Sequence, residues 1–166
     1  MLDALPRHLS QTGLFDAAQP GRVAAGVTEY EPSFALWSDG ADKRRWLALP
    51  PGARIDSSDL DAWSFPVGTK FWKEFARNGR RIETRLLVKR GPGERDWAGA
   101  AYVWDSDQRD ADLTPDGVKD AGGSGHDVPS AAECAGCHGG RRSYVLGFSG
   151  MAGLGKLQNA RCVGAL

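Results

Sequence analysis

Two cysteines and a histidine lie close together in the stretch SAAECAGCHGG (130–140). Cys134 and Cys137 are three positions apart, and His138 follows directly. In this C-x-x-C-H spacing the two thiols can form thioethers with the vinyl groups of a porphyrin while the imidazole binds its iron. The same residue types also suit a zinc site or a redox-active dithiol, so the surrounding sequence has to discriminate among them.

A short helix is expected over this motif. Ser130 and Glu133 form the S-x-x-E pattern of a capping box, and Gly139 would end the helix. The expected helix runs from about Ala131 to His138. It places the two thiols and the imidazole at positions i, i+3 and i+4, which share one helical face.

The zinc site and the redox dithiol each require sequence features that this chain lacks. A structural zinc site takes four ligands, and the missing ones would have to come from Cys162, His126 or His8, because the chain has no second C-x-x-C. A thioredoxin-like dithiol opens a helix after a strand in a βαβ unit, a context that the residues before Cys134 do not supply. Covalently bound haem c is therefore favoured, with both cysteines of the motif holding the porphyrin and His138 as proximal iron ligand.

The sixth iron ligand is left open by the sequence. Met151 is the only internal methionine, and its thioether would give Met/His ligation with a raised reduction potential. His126 is the alternative and would give bis-histidine ligation with a lower potential. An open or water-bound sixth position is the third possibility.

Composition excludes several classes of protein. Lys and Arg total 21 and Asp and Glu total 21, so no overall charge would attract nucleic acid or an anionic membrane. No apolar run approaches the roughly 18 residues of a membrane-spanning helix. The first residues lack the basic and apolar regions of a signal peptide. Three cysteines make a disulfide scaffold a poor interpretation.

The chain changes character near residue 122. All six tryptophans precede it, and glycine is abundant after it. We expect a partly helical N-terminal segment (1–21, helical to about Ala18), a β-rich domain (22–121), and a linker with the haem-attachment segment (122–166). Strands are predicted at 24–31, 43–49 and 97–105. The predicted fold class is mainly β, an antiparallel β-sandwich or open barrel with a short helical C-terminal attachment segment.

A hairpin is the clearest local prediction within the β-rich domain. Asn78-Gly79 suits a two-residue type I′ turn, with Arg77 opposite Arg80. A regular ladder would then pair Phe75 with Ile82, Phe71 with Leu86, and Glu74 with Glu83. Facing carboxylates are destabilising unless neutralised, for which Arg85 and Lys70 lie near. A solvated face with arginine pairing is favoured over an acid/base pair or a cation site.

Two other charged features are weaker. Arg141-Arg142 could pair with haem propionates or dock an acidic partner, although adjacent arginines commonly form a solvated face. The stretch from Asp105 to Gly117 has the acidic spacing of a calcium loop, but Asp110 and Asp116 stand where an EF-hand needs glycine and glutamate. An acidic turn is expected there.

Five segments occur in an order that resembles a family of largely uncharacterised bacterial exported proteins, in which a β-rich domain precedes a single C-x-x-C-H. They are LWSDGADKRRWLALPPG (36–52), WSFPVGTKFWKEF (63–75), RRIETRLLV (80–88), YVWDSDQRDADL (102–113) and HDVPSAAECAGCHGGRRSYVLGFS (126–149). The resemblance implies a periplasmic or cell-surface haem protein, sometimes linked to other cytochrome modules. Family members carry an export signal and a longer segment after the motif, so we expect that this chain starts inside a longer gene product or has lost its signal, and that its C-terminus is shortened or altered.

These observations predict a monohaem c-type cytochrome-like protein that transfers electrons to a redox protein partner in the periplasm without a catalytic side chain. The first alternative is a haem enzyme or gas sensor with an open sixth position. The second is a β-domain interaction module with a structural zinc site.

Overall fold

A six-stranded antiparallel sheet forms the centre of the protein. The structure, a computed structural model, describes residues 5–32, 40–60, 62–139, 144–146 and 148 and the backbone of 162–163. The strands of the central sheet follow one another in chain order: β3 (Val27–Glu29), β4 (Asp42–Ala48), β6 (Lys70–Arg77), β7 (Arg80–Lys89), β8 (Trp97–Trp104) and β9 (Ala111–Leu113). Each pairs antiparallel with the next.

Smaller elements surround this sheet. Strands β1 (Phe15–Asp16) and β2 (Gln19–Val23) form an antiparallel pair, and β5 (Ile55–Asp56) pairs parallel with β10 (Cys162–Val163). Short 3-10 helices span Leu9–Thr12 and Ala121–Gly123, and helix α1 spans Ala131–Gly139. The predicted fold class is confirmed: the protein is mainly β, with an antiparallel sheet consistent with a sandwich or open barrel and a short C-terminal helix.

The prediction of a helical N-terminal segment to about Ala18 is wrong for most of its length. Of its described residues, 5–18, only Leu9–Thr12 is helical, as one 3-10 turn, and the chain then enters the β1–β2 hairpin. Gly13 ends the turn in the left-handed region, with φ of 89°. Burial explains the choice, because Leu9 and Leu14 are fully buried in the cluster that contains Trp72.

The β6–β7 hairpin has the predicted turn. Asn78 and Gly79 both have positive φ, 52° and 73°, as a type I′ turn requires, and Arg77 pairs with Arg80. Beyond the turn the predicted register is wrong. A bulge between Phe75 and Ala76 shifts the ladder, so that Phe75 lies opposite Glu83.

The bulge makes Ile82 an extra residue without a partner in β6. Ile82 is buried against Ala101 and Val128, which accounts for the departure from a regular ladder. Glu74 consequently pairs with Thr84 rather than Glu83. The two carboxylates lie on opposite faces of the sheet, so the less favoured alternative, an acid/base pair or a cation site, does not form. The favoured solvated face is wrong as well, because Glu74 is 6% and Glu83 0% exposed, although the expected arginine pairing is present between Arg85 and Glu83.

Both faces of the sheet are covered. On one face, which we call the Trp72 face, the N-terminal segment packs on Trp46, Trp72 and Tyr102. On the other, the Phe71 face, Val145 and Phe148 pack on Phe71. Residues that follow α1 therefore complete a core whose other members come from the β-rich region.

Candidate functional site

Helix α1 carries the C-x-x-C-H motif and matches the predicted helix closely. The predicted capping box is present: the hydroxyl of Ser130 accepts a hydrogen bond from the backbone N–H of Glu133 at 3.2 Å. The Glu133 carboxylate accepts bonds from the Ser130 N–H at 2.8 Å and from its hydroxyl at 2.9 Å. These bonds satisfy backbone donors at the helix start and fix its first turn.

The two thiols differ in their surroundings. Cys134 is half-buried, whereas Cys137 is exposed. Helix α1 packs against β8, and burial raises the pKa of the Cys134 thiol despite the opposing effect of the Arg85 guanidinium. Cys134 is therefore a neutral thiol at neutral pH, one helical turn from a more accessible neighbour.

His138 is oriented by a main-chain carbonyl. Its Nδ1 lies 2.7 Å from the carbonyl oxygen of Tyr144, and the two rings are 5.3 Å apart. A carbonyl only accepts hydrogen bonds, so Nδ1 is the donor, and in the neutral tautomer that this bond selects Nε2 keeps its lone pair. Tyr144 is held in turn by a parallel stack on Trp97, with ring centroids 6.2 Å apart and an interplanar angle of 3°.

This arrangement fits the chemistry of a covalent haem. Metal-binding histidines commonly donate the second ring N–H to a carbonyl or carboxylate, which fixes the ring and raises the basicity of the ligand nitrogen. Nε2 of His138 would bind the iron, and the sulfurs of Cys134 and Cys137 would bind the porphyrin. No group of three or more His, Cys, Asp or Glu side chains within the described residues is arranged to hold a bare metal ion.

His126, the alternative sixth ligand, lies in a buried hydrogen-bond network with Glu83 and Arg85 that the sequence did not reveal. Its Nε2 is 2.7 Å from a carboxylate oxygen of Glu83. The Glu83 side chain is fully buried and also accepts two bonds from Arg85, at 3.0 and 2.6 Å. Iron ligation through this nitrogen would require the pair with Glu83 to break. The contact between Glu83 and His126 depends on the bulge at Ile82, because the bulge places Glu83 on the Phe71 face. The pattern of hydrophobic residues does not predict this bulge.

The remaining candidates are dispersed. His8, considered as a zinc ligand, lies 2.8 Å from a carboxylate oxygen of Asp112. Of Cys162 only the backbone is described, within β10. Met151, Arg141 and Arg142 lie outside the described residues.

The acidic stretch after β8 forms a turn, as expected. The Asp105 carboxylate accepts hydrogen bonds from the backbone N–H groups of Arg109, at 3.0 Å, and Asp110, at 3.1 Å. These bonds lower its pKa. The turn's own amides therefore occupy the carboxylate that a calcium loop would use first.

A shallow groove lies beside Tyr144. Its aromatic lining consists of Trp63, Phe65, Trp97 and Tyr144. The indole N–H of Trp63 is buried there without a hydrogen-bond partner among the described residues. An aromatic surface thus adjoins the ring that stacks near His138.

Comparison with known proteins gives no match to a protein-family profile, to a curated protein or to a solved structure. Among the described residues no helix is long and apolar enough to cross a membrane.

Proposed function

We propose that the protein is a monohaem c-type cytochrome-like electron carrier. The observation that carries this proposal is the geometry of α1: two thiols one turn apart, followed by an imidazole whose Nδ1–H is held by the Tyr144 carbonyl 2.7 Å away. When bound, haem supplies one-electron redox chemistry at its iron.

The residues of the chain have defined tasks in this proposal. Cys134 and Cys137 hold the porphyrin, and His138 binds the iron through Nε2. The Tyr144 carbonyl prevents rotation of the imidazole, and the stack of Tyr144 on Trp97 fixes that carbonyl against the sheet. A rigid ligand limits the structural change between oxidation states, which favours electron transfer.

The proposed setting is the periplasm or the cell surface, with a redox protein as partner. The order of sequence motifs supports this proposal through its resemblance to exported bacterial haem proteins. Attachment of c-type haem outside the bacterial inner membrane fits the same setting.

The test is expression with an export signal and a haem-maturation system, followed by denaturing electrophoresis and a haem stain. We expect a stained band for the parent chain, weaker staining for Cys134→Ala or Cys137→Ala, and none for the double variant. Cys162→Ala is the matched control and should stain like the parent. A chain that binds zinc and shows no haem absorbance would contradict the proposal.

A haem enzyme or gas sensor with an open sixth position is the second candidate. It is favoured by the pairing of His126 with Glu83, which occupies the Nε2 of one proposed ligand. Reduced-state spectra distinguish the two: a low-spin six-coordinate iron supports the carrier, and a high-spin five-coordinate iron supports the open site. In a carrier with Met/His ligation, Met151→Ala should lose the low-spin spectrum and His126→Ala should retain it.

A further inference from the structure

Three cations lie side by side across the central sheet. Arg45 of β4 pairs with Lys73 of β6, and Lys73 pairs with Arg85 of β7. Directly opposite residues point to the same face, here the Phe71 face, with Cβ atoms about 5 Å apart. Like charges in such positions destabilise a sheet unless anions neutralise them. We call these residues the cation row.

The described part of the chain neutralises only one end of this row. The Glu83 carboxylate binds the Arg85 guanidinium through two hydrogen bonds. Arg45 is 9% exposed, yet no hydrogen bond or ion pair joins its side chain to another described residue. The Lys73 amine likewise has no such partner there and lies over the Phe75 ring at 4.7 Å.

The other titratable groups that the structure describes near the row do not balance it. Burial lowers the pKa of Lys73 to about 8, with further contributions from Arg45, Arg85 and Lys43, which adds another positive charge. Glu83 opposes this shift but also contacts His126. Burial raises the pKa of Tyr30 near Arg45, so that hydroxyl stays neutral. The half-buried Cys134 thiol beside Arg85 is neutral as well.

We propose that the cation row binds the oxyanion group of a ligand, a carboxylate, phosphate or sulfate. Guanidinium groups match the geometry of such groups with paired N–H donors, and an ammonium adds a compact charge. An ion bound across Arg45 and Lys73 would neutralise the repulsion between them. This inference does not depend on the proposed haem.

Two sources could provide the oxyanion. One is a propionate of a haem attached to α1, because that helix packs against β8, in which Ala101 pairs with Arg85. The other is a small free anion. The chemistry of recognition is the same for both, so the experiment has to separate them.

The first measurement uses the full chain without haem. Thermal unfolding is followed while sodium sulfate or phosphate replaces sodium chloride at constant ionic strength. We expect a saturable rise in Tm for the parent. Lys73→Gln and Arg45→Gln should each weaken sulfate binding at least about tenfold. Arg95→Gln, which removes an exposed arginine of a loop, is the control and should behave like the parent.

A second readout separates anion binding from a general loss of structure. Without sulfate or phosphate, Lys73→Gln should unfold at a Tm equal to or above that of the parent, because it removes like-charge repulsion from the row. A variant that is merely misfolded would unfold at a lower Tm in all salts. If Lys73→Gln does not fold, the Arg45→Gln titration and the NMR signal of the Lys73 amine during sulfate addition to the parent provide the test.

The haem-loaded chain then identifies the source. If a propionate occupies the row, sulfate will stabilise only the haem-free chain; if the row binds a free anion, sulfate will stabilise both forms. The inference is overturned if sulfate and phosphate produce no saturable shift in either form, or the same shift in the parent and Lys73→Gln. A failure of haem attachment would contradict the proposed function and leave the haem-free titration decisive for the row.

Discussion

The orientation of His138 depends on a backbone atom. Its partner is the Tyr144 carbonyl, so substitution of the Tyr144 side chain cannot delete the hydrogen bond directly. Such a substitution acts only through the stack on Trp97, which holds the carbonyl in place. The local sequence CHGGRRSY predicts the ligand but contains no sign of this partner. The position of the Tyr144 carbonyl depends on the packing of Tyr144 against Trp97, which is distant in the sequence.

Glu83 is a buried carboxylate that contacts both Arg85 and His126. Glu83→Gln should lower the free energy of unfolding by about 3 kcal/mol, since it removes the anion of a buried pair. Urea denaturation provides the measurement. Glu94→Gln, at an exposed glutamate, is the control and should change stability by less than about 0.5 kcal/mol. An equal effect of the two changes would show that the buried pair contributes nothing to stability.

The lowered pKa of Lys73 predicts that the free energy of unfolding increases at alkaline pH. Its pKa is about 8 in the folded protein, below its ordinary value of 10.5, because burial and neighbouring cations disfavour the charged amine. Between these two values the unfolded chain binds more protons than the folded chain, so stability rises with pH. The rise should be on the order of 2 kcal/mol between pH 8 and 10.

Urea unfolding across this pH range tests the contribution of Lys73. Lys73→Met should flatten the rise while leaving the other titrating groups unchanged. If the curves of parent and variant stay parallel, Lys73 does not have a lowered pKa in the folded chain.

At the scale of elements, short sequence motifs correctly predict the turn and the helix start, which depend on neighbouring residues. The Asn78-Gly79 turn and the Ser130–Glu133 capping box are present because each needs only a few neighbouring residues. The register of the β6–β7 hairpin was missed because burial of Ile82 against Ala101 is a long-range contact. A regular ladder was the simplest expectation, and one extra residue in β7 overturned it.

The capping box should control the stability of α1. Ser130→Ala removes the hydroxyl that accepts the Glu133 N–H and should cost about 1 kcal/mol. Amide hydrogen exchange across 131–139 would report this as faster opening of the helix. Ser130→Thr retains a capping hydroxyl and should exchange at nearly the parent rate. Equal protection in the alanine variant and the parent would mean that packing on β8 alone holds the helix.

At the scale of the whole molecule, the sheet separates two environments. The N-terminal segment packs on the Trp72 face, while the cation row and the buried His126 lie on the Phe71 face. The proposed domain boundary near residue 122 followed a change in composition, but Val145 and Phe148 beyond it join a cluster with Phe71 and Phe65. Composition could not predict this contact, because it depends on how the chain returns after α1.

A substitution of Phe148 tests how strongly the residues after α1 pack on the Phe71 face. It is 2% exposed and contacts the rings of Tyr30, Trp63, Phe65 and Phe71. Phe148→Ala should lower the free energy of unfolding by about 3–5 kcal/mol in one cooperative transition. Leu146→Ala is the nearby control, since Leu146 is 41% exposed and should cost much less. A separate early transition in the Phe148 variant would contradict shared packing.

The bulge at Ile82 also determines which changes in chain length the hairpin can accept. Ile82 has no partner in β6, so deleting it would leave the pairs Ala76–Arg81 and Phe75–Glu83 in place and remove only a buried side chain. Deleting Thr84 would instead turn Glu83 toward the Trp72 face and separate it from Arg85 and His126. In β7, therefore, a homologous sequence could lack the residue at position 82 and keep the hairpin register. A deletion at position 84 would break the contacts of Glu83 with Arg85 and His126.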